Sequence, residues 1–214
     1  MSRDRDGKTL RVAGWTLITL GAFVLEFALY EIVGTALVTR GHQNELRKEF
    51  QAQVENPIVE PSASPAASSP PRTISTKAIG LLKIPKIDVD VIVVDGARLG
   101  DLSYGPGRYS SSAKLGSEGS TAIAGHRTGW GSPFLNLDKE NPGDTIVIES
   151  IAGTVYTYRV TKRMIVRPSA VWVLKGNPDS RATTQLTLTT CDPKYTSRNR
   201  MIVWADLIST GKAA

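Results

Sequence analysis

Cysteine and histidine are scarce in this chain of 214 residues, which has one cysteine, Cys191, and two histidines, His42 and His126. A single cysteine excludes an internal disulfide framework and a cysteine-rich zinc site. Any chemistry that needs an imidazole has to use one of the two histidines. No carboxylate cluster stands out either, so the sequence predicts no metal ion and no other cofactor.

A dense block of lysine and arginine is also missing, although the net charge is +6. Residues 1–76 carry eight basic and eight acidic side chains, whereas residues 77–214 carry 18 and 12. The basic residues are scattered and are not interleaved with aromatic side chains. This pattern argues against a protein that binds nucleic acid.

A long apolar run lies near the N-terminus. As a helix, residues 12–39 extend for about 42 Å, which exceeds the roughly 30 Å hydrocarbon core of a bilayer. Two carboxylates, Glu26 and Glu31, interrupt the run and are costly in the middle of a membrane, so their role stays open. We expect a single-pass transmembrane anchor at 12–39, after a cytoplasmic N-terminus at 1–11.

This apolar run has two other interpretations. A cleaved signal peptide is one, because the Gly-Thr-Ala triplet at 34–36 is a passable cleavage site. An amphipathic core helix is the other, and it fits poorly because the run is apolar on all sides. Residues 40–76 are predicted to form a stalk and a linker, since 56–75 is rich in Pro, Ser and Ala and has little apolar surface to bury. Everything after the anchor is then expected outside the cell.

From residue 77 onward the pattern is that of a β protein. Short apolar or alternating segments are separated by Gly and Pro, and no segment shows a long helical period. The predicted strands are 87–93, 121–125, 144–150, 154–166, 184–190 and 201–209. They indicate one mainly β domain over 77–214, a sandwich or a barrel.

Three chemically useful side chains are predicted at the ends of these strands. Cys191 ends one strand, and Arg200 opens the next, so the two lie side by side if the strands form a hairpin; Arg198 is the competing arginine. His126 follows the strand 121–125. A thiol near an imidazole and a guanidinium suits nucleophilic catalysis, because nearby positive charge lowers a thiol pKa and an arginine can stabilise an oxyanion. Each of the three residues, taken alone, also has an ordinary structural explanation.

The motifs around these residues resemble those of a known family. TLTTC at 187–191, with Arg200 and then MIV, resembles the TLxTC…R signature of the sortases, and AGHR at 124–127 resembles their histidine motif. The resemblance covers all of 77–214. It implies a mainly β fold, the sortase-like eight-stranded β-barrel with short helices, preceded by an N-terminal transmembrane helix.

The resemblance also implies an activity, that of a cysteine transpeptidase on the outer face of a Gram-positive membrane. Cys191 is expected to cleave the Thr–Gly bond of a C-terminal LAXTG- or LPXTG-type sorting motif in secreted proteins through a thioester. An amine of a lipid-linked peptidoglycan precursor then resolves the thioester. By the same likeness, His126 is the general acid and base, Arg200 positions the substrate and its oxyanion, and Thr190 lies at the substrate pocket.

Within the sortases, HRTGWGSPF at 126–134 and CDPKY at 191–195 look most like class E, the housekeeping type of high-GC bacteria. Trp130, which we expect to contact substrate, and Asp192 stand where class E often has tyrosine and histidine. The choice between LAXTG and LPXTG therefore stays open. Two alternatives remain: a pilus-polymerising, class C-like sortase, and a non-catalytic, membrane-tethered β-domain that binds wall or protein ligands.

Overall fold

The computed structural model describes residues 3–55 and 78–213, so the predicted linker at 56–75 lies outside the described residues. Helix α1 runs from Arg3 to Leu29 and is followed by a π-helical turn at Tyr30–Gly34. Helix α2 then covers Thr35–Glu55, so the polar residues after the apolar run are helical as far as residue 55. The boundaries at residues 11, 39 and 76 stay predictions.

Eight strands follow the helices. They are β1 Ala78–Ile84, β2 Val89–Asp95, β3 Gly107–Arg108, β4 Gly119–Ala124, β5 Thr145–Ser150, β6 Thr154–Val166, β7 Thr184–Asp192 and β8 Asn199–Lys212. A short helix α3, Leu99–Leu102, connects β2 to β3. Three turns of 3-10 helix occupy Pro85–Ile87, Leu137–Lys139 and Val171–Lys175.

The strands close into one barrel in the order β1-β2-β3-β4-β7-β8-β6-β5, which confirms the expected eight-stranded β-barrel. Most neighbours are antiparallel, but β2 is parallel to the short strand β3, and β4 is parallel to β7. The C-terminal ends of β4 and β7 therefore meet at one end of the barrel. β8 starts at this end and pairs with β7 in antiparallel fashion.

Successive side chains along each strand point alternately into the barrel and towards its outer surface. Leu186 and Leu188 of β7 pack in the core with Val203 and Ala205 of β8, all without solvent exposure. Residues between them point outward, since successive strand side chains alternate between the faces. This period of two fixes which face receives each candidate site residue.

Helix α2 packs against the outside of the barrel. Leu46 and Phe50 are buried together with Ala78, Leu81 and Ile92 of β1 and β2. β1 is therefore covered on both faces, and it lacks the alternation of a half-exposed strand. This explains why the alternation of apolar and polar residues does not predict β1.

Candidate active site

Cys191 and Arg200 lie directly opposite each other in the β7–β8 ladder. Opposed residues of an antiparallel pair share one face of the sheet, so both side chains leave the barrel on the same side. Both residues are half-buried, whereas Arg198 is exposed in the preceding loop. The predicted hairpin pairing of Cys191 with Arg200 is therefore observed, whereas the role of the guanidinium stays a prediction.

His126 reaches the same end of the barrel from β4. The parallel ladder pairs Ala124 with Thr189, and the Gly125 N–H continues it by donating to the Thr189 carbonyl at 3.0 Å. His126 lies two residues after Ala124, and Cys191 lies two residues after Thr189. The two therefore occupy equivalent positions at the ends of adjacent parallel strands. Since Ile123 points into the core, the alternation puts His126 on the outer face with Cys191.

Two contacts fix the end of β4 on β7. The Thr190 hydroxyl donates to the Gly125 carbonyl at 2.8 Å, and Thr190 is buried. Gly125 itself lies against Phe134, because a Cβ atom added there would meet the Phe134 ring at 2.5 Å. Only glycine fits between that ring and β7, so the glycine before His126 has a packing reason.

Arg127 is a buried cation that contacts the backbone of Cys191. Its guanidinium donates to the Cys191 carbonyl at 3.2 Å and forms an ion pair with Asp192. A second ion pair reaches Asp138 at 3.2 Å, and Lys194 lies 3.8 Å from the same carboxylate. These contacts connect the residue after His126 to the backbone of Cys191. The sequence analysis included Arg127 in the histidine motif but did not predict its ion pairs with Asp192 and Asp138.

The site electrostatics favour a neutral imidazole. Burial lowers the pKa of His126 from its ordinary value of 6.5, because desolvation penalises the charged form. The Arg200 guanidinium donates to the carbonyls of Ser197 and Asn199 at 3.0 and 2.9 Å. These two bonds hold its charge against the end of the β7–β8 loop.

A groove of about 780 Å³ opens beside this end of the barrel. One wall is α2, the other is the loop that follows His126, and Tyr195 of the β7–β8 loop lies at its rim. Trp130 lines this groove, whereas Thr190 is buried beneath the surface. The participation of α2 was not predicted, because its contacts join residues far apart in sequence.

Among residues 3–55 and 78–213, no group of three or more His, Cys, Asp or Glu side chains is arranged to hold a metal ion. Tyr109 adds a further polar group near the site, with its hydroxyl 3.2 Å from the Thr189 hydroxyl. Cys191, His126 and Arg200 bring a thiol, an imidazole and a guanidinium to this end of the barrel.

A closed β-barrel with these three groups at one end defines a cysteine-dependent acyl-transfer enzyme. Residues 82–208 match the family model described as the sortase domain, and the chain belongs to the sortase family, whose members are cysteine transpeptidases. The match lies within the predicted domain 77–214.

Similar proteins come from Streptomyces. The chain is 32% identical to sortase SrtE2 of Streptomyces coelicolor, covering 98% of this chain and 88% of that one. It is 29% identical to sortase SrtE1 of the same organism over 92% of this chain, and spans 57% of that longer protein. The expected likeness to class E is confirmed.

Solved structures agree with this placement. A crystal structure of sortase E1 from Streptomyces coelicolor, with a tripeptide in its active site, matches with a TM-score of 0.60 at 32% identity. Sortase E from Streptomyces avermitilis matches with a TM-score of 0.57 at 35% identity. Both cover 64% of this chain and 91% of their own.

Proposed function

We propose that this sortase is a membrane-anchored enzyme that attaches secreted proteins to the cell wall. Its donors are proteins with a C-terminal LAXTG- or LPXTG-type sorting motif, and its acceptor is an amine of a lipid-linked peptidoglycan precursor. The observation that carries this proposal is the placement of Cys191 opposite Arg200, with His126 at the equivalent position on the neighbouring parallel strand.

The reaction has two acyl transfers. The Cys191 sulfur attacks the threonine carbonyl carbon while neutral His126 accepts the thiol proton, and Arg200 stabilises the negative charge on the carbonyl oxygen. The C–N bond then breaks as His126 returns the proton to the glycine amine, leaving a thioester. The acceptor amine attacks this thioester, His126 takes its proton, and the thiol is re-formed as the new amide bond replaces the C–S bond.

Trp130 is assigned to substrate contact, and Thr190 is assigned to the support of the pocket floor. Trp130 lines the groove beside the catalytic end and offers a large amphipathic surface to a peptide. Thr190 acts from below, since its hydroxyl holds the Gly125 carbonyl and thereby the floor of the site next to His126.

Helix α1 supports the membrane anchor. Arg11–Ala28 is long and apolar enough to cross a bilayer, and none of it is buried within the protein. Side chains such as Trp15, Phe23 and Leu25 are 68–72% exposed, which water does not favour along a whole helix. We assign the N-terminus to the cytoplasm and the barrel to the extracellular side.

Mass spectrometry of the detergent-solubilised full chain tests the proposal. The chain is incubated with a peptide that contains Leu-Ala-x-Thr-Gly or Leu-Pro-x-Thr-Gly. The mass of Cys191 is expected to increase by that of the peptide fragment that ends at threonine, less one water. An added amine is expected to remove this adduct and to appear on the peptide in place of glycine.

The Cys191→Ala variant is the matched control and is expected to form neither adduct nor product while its circular dichroism spectrum stays unchanged. Product formation by this variant would falsify the assignment of the nucleophile. A wild-type chain that forms no adduct and whose thiol resists a charged alkylating reagent supports the non-catalytic β-domain instead.

A further inference from the structure

The N-terminal end of α2 contacts the loop that follows His126. The Trp130 N–H donates to the Thr35 hydroxyl oxygen at 3.2 Å. One turn further along α2, Thr39 faces Gly131, where an added Cβ would lie 3.4 Å from the Thr39 Cγ2 methyl. Thr35 and Thr39 are both buried, so this is a packed interface.

The rest of α2 is also bound to the barrel, so the contact at its N-terminal end is part of a larger interface. The Gln43 amide accepts from the Ile92 N–H at 2.7 Å and donates to the carbonyls of Ile92 and Tyr104 at 3.0 and 2.6 Å. The Gln43 side chain thereby binds a part of β2 that lies beyond the two residues paired with the short strand β3. His42 stacks on the Tyr104 ring with centroids 4.1 Å apart.

The contacted loop has an unfavourable backbone of its own. Gly129, Trp130, Gly131 and Ser132 all have φ between +47° and +74°. Tryptophan and serine rarely adopt this left-handed region, so such a stretch persists only where its surroundings hold it. Within the loop, the Ser132 N–H donates to the Gly129 carbonyl at 2.8 Å. The Thr35 hydroxyl supplies a partner for the Trp130 N–H from outside the loop.

We propose that Thr35 is a positioning residue that holds the 129–132 loop, and with it Trp130, in the form that makes one wall of the substrate groove. The helix that leaves the apolar segment is thereby a part of the active site rather than a spacer. This inference rests on the proposed function for the role of the groove. It predicts that loss of the Thr35 hydroxyl weakens substrate binding and leaves the acyl-transfer chemistry intact.

The direct test is hydrogen exchange at the Trp130 backbone N–H in the full chain in detergent micelles. Labelling with ¹⁵N-tryptophan gives one backbone signal for each of the four tryptophans, and a Trp130→Phe variant identifies the relevant one. Thr35→Val keeps the side-chain shape and removes the hydroxyl, so exchange is expected to accelerate by about fivefold or more. Thr35→Ser is expected to restore the wild-type rate.

Kinetics supply the second readout. With a sorting-motif peptide and a glycine amine, Thr35→Val is expected to raise KM about three- to tenfold while kcat changes by less than about twofold, the pattern of a lost binding contact. Thr161→Val is the matched control, because the Thr161 hydroxyl also bonds a backbone carbonyl, that of Trp204 at 3.2 Å, but Thr161 does not line the groove. It is expected to leave both KM and Trp130 exchange unchanged.

Unchanged Trp130 exchange in Thr35→Val overturns the inference, as does an equal effect of Thr161→Val, which would indicate a general loosening of the protein. The exchange measurement needs no turnover. A wild-type chain that transfers no peptide therefore counts against the proposed function alone, and the structural role of Thr35 is still decided by exchange.

Discussion

At the scale of single residues, Glu140 is the most unusual group outside the site. Its carboxyl is fully buried, and neither oxygen has a hydrogen-bond partner among the described residues. Burial, with a smaller contribution from nearby Asp144 and a partial offset by Lys86, raises its pKa from 4.5 to about 7. The folded protein therefore keeps this proton at pH values where the unfolded chain has lost it.

This shift predicts a stability that falls as the pH rises from 4.5 to 7 and then levels off. One pKa unit corresponds to about 1.4 kcal/mol, so the change amounts to at most about 3.5 kcal/mol. Glu140→Gln is expected to remove this slope and to stabilise the chain relative to wild type above pH 7. Urea unfolding at several pH values measures it, with the exposed Glu118→Gln as control; equal slopes in wild type and Glu140→Gln contradict the argument.

His126 gives a second prediction at this scale. Because burial lowers its pKa, the imidazole stays neutral below the ordinary value of 6.5, and the acidic limb of kcat/KM is expected below pH 6.5. The chain has only two histidines, so NMR titration of a His42→Asn variant reports His126 alone. A titration midpoint at or above 6.5 would show that desolvation does not control this group.

At the scale of elements, the register of β7 and β8 decides which arginine serves the site. Arg200 opposes Cys191 in the ladder, whereas Arg198 is exposed in the loop. Arg200→Ala is expected to lower kcat by about 100-fold or more, the usual loss of an oxyanion donor. Arg198→Ala is expected to retain activity within about twofold. Steady-state transpeptidation with one peptide compares them, and the reverse ranking would reassign the role.

The same elements show what a sequence can predict here. β6 was predicted at its observed bounds, and the Cys191–Arg200 pairing followed from two strands joined by a short loop. Local pattern suffices for such features, because alternation and turn residues act between neighbours in the chain. β1 was missed because α2 covers its outer face and removes the alternation. The ion pairs of Arg127 were missed because they join residues more than ten positions apart, and such pairs leave no periodic signal.

At the scale of the whole molecule, α1 and α2 connect the apolar segment to the catalytic end of the barrel. The apolar window ends at Ala28, and Thr35 already bonds the Trp130 N–H. At 1.5 Å per helical residue these positions are separated by only about 10 Å along the chain. If α1 spans the membrane as proposed, the groove opens close to the lipid surface, where both a secreted protein and a lipid-linked acceptor arrive.

This geometry predicts a difference between the two ends of the barrel. Tyr195 is 83% exposed at the rim of the groove, whereas Ile151 lies in the β5–β6 turn, close to where β8 ends and far from Arg200. Because Cys191 is the sole thiol, a Cys191→Ala background allows a single fluorophore at either Tyr195→Cys or Ile151→Cys. In vesicles with headgroup spin labels, fluorescence quenching is expected to be at least about twofold stronger at position 195 than at position 151. Quenching falls steeply with distance from the bilayer, and the barrel is long, because 12 residues of β6 extend for about 40 Å. Equal quenching at the two positions, or stronger quenching at 151, would mean that the catalytic end faces away from the membrane.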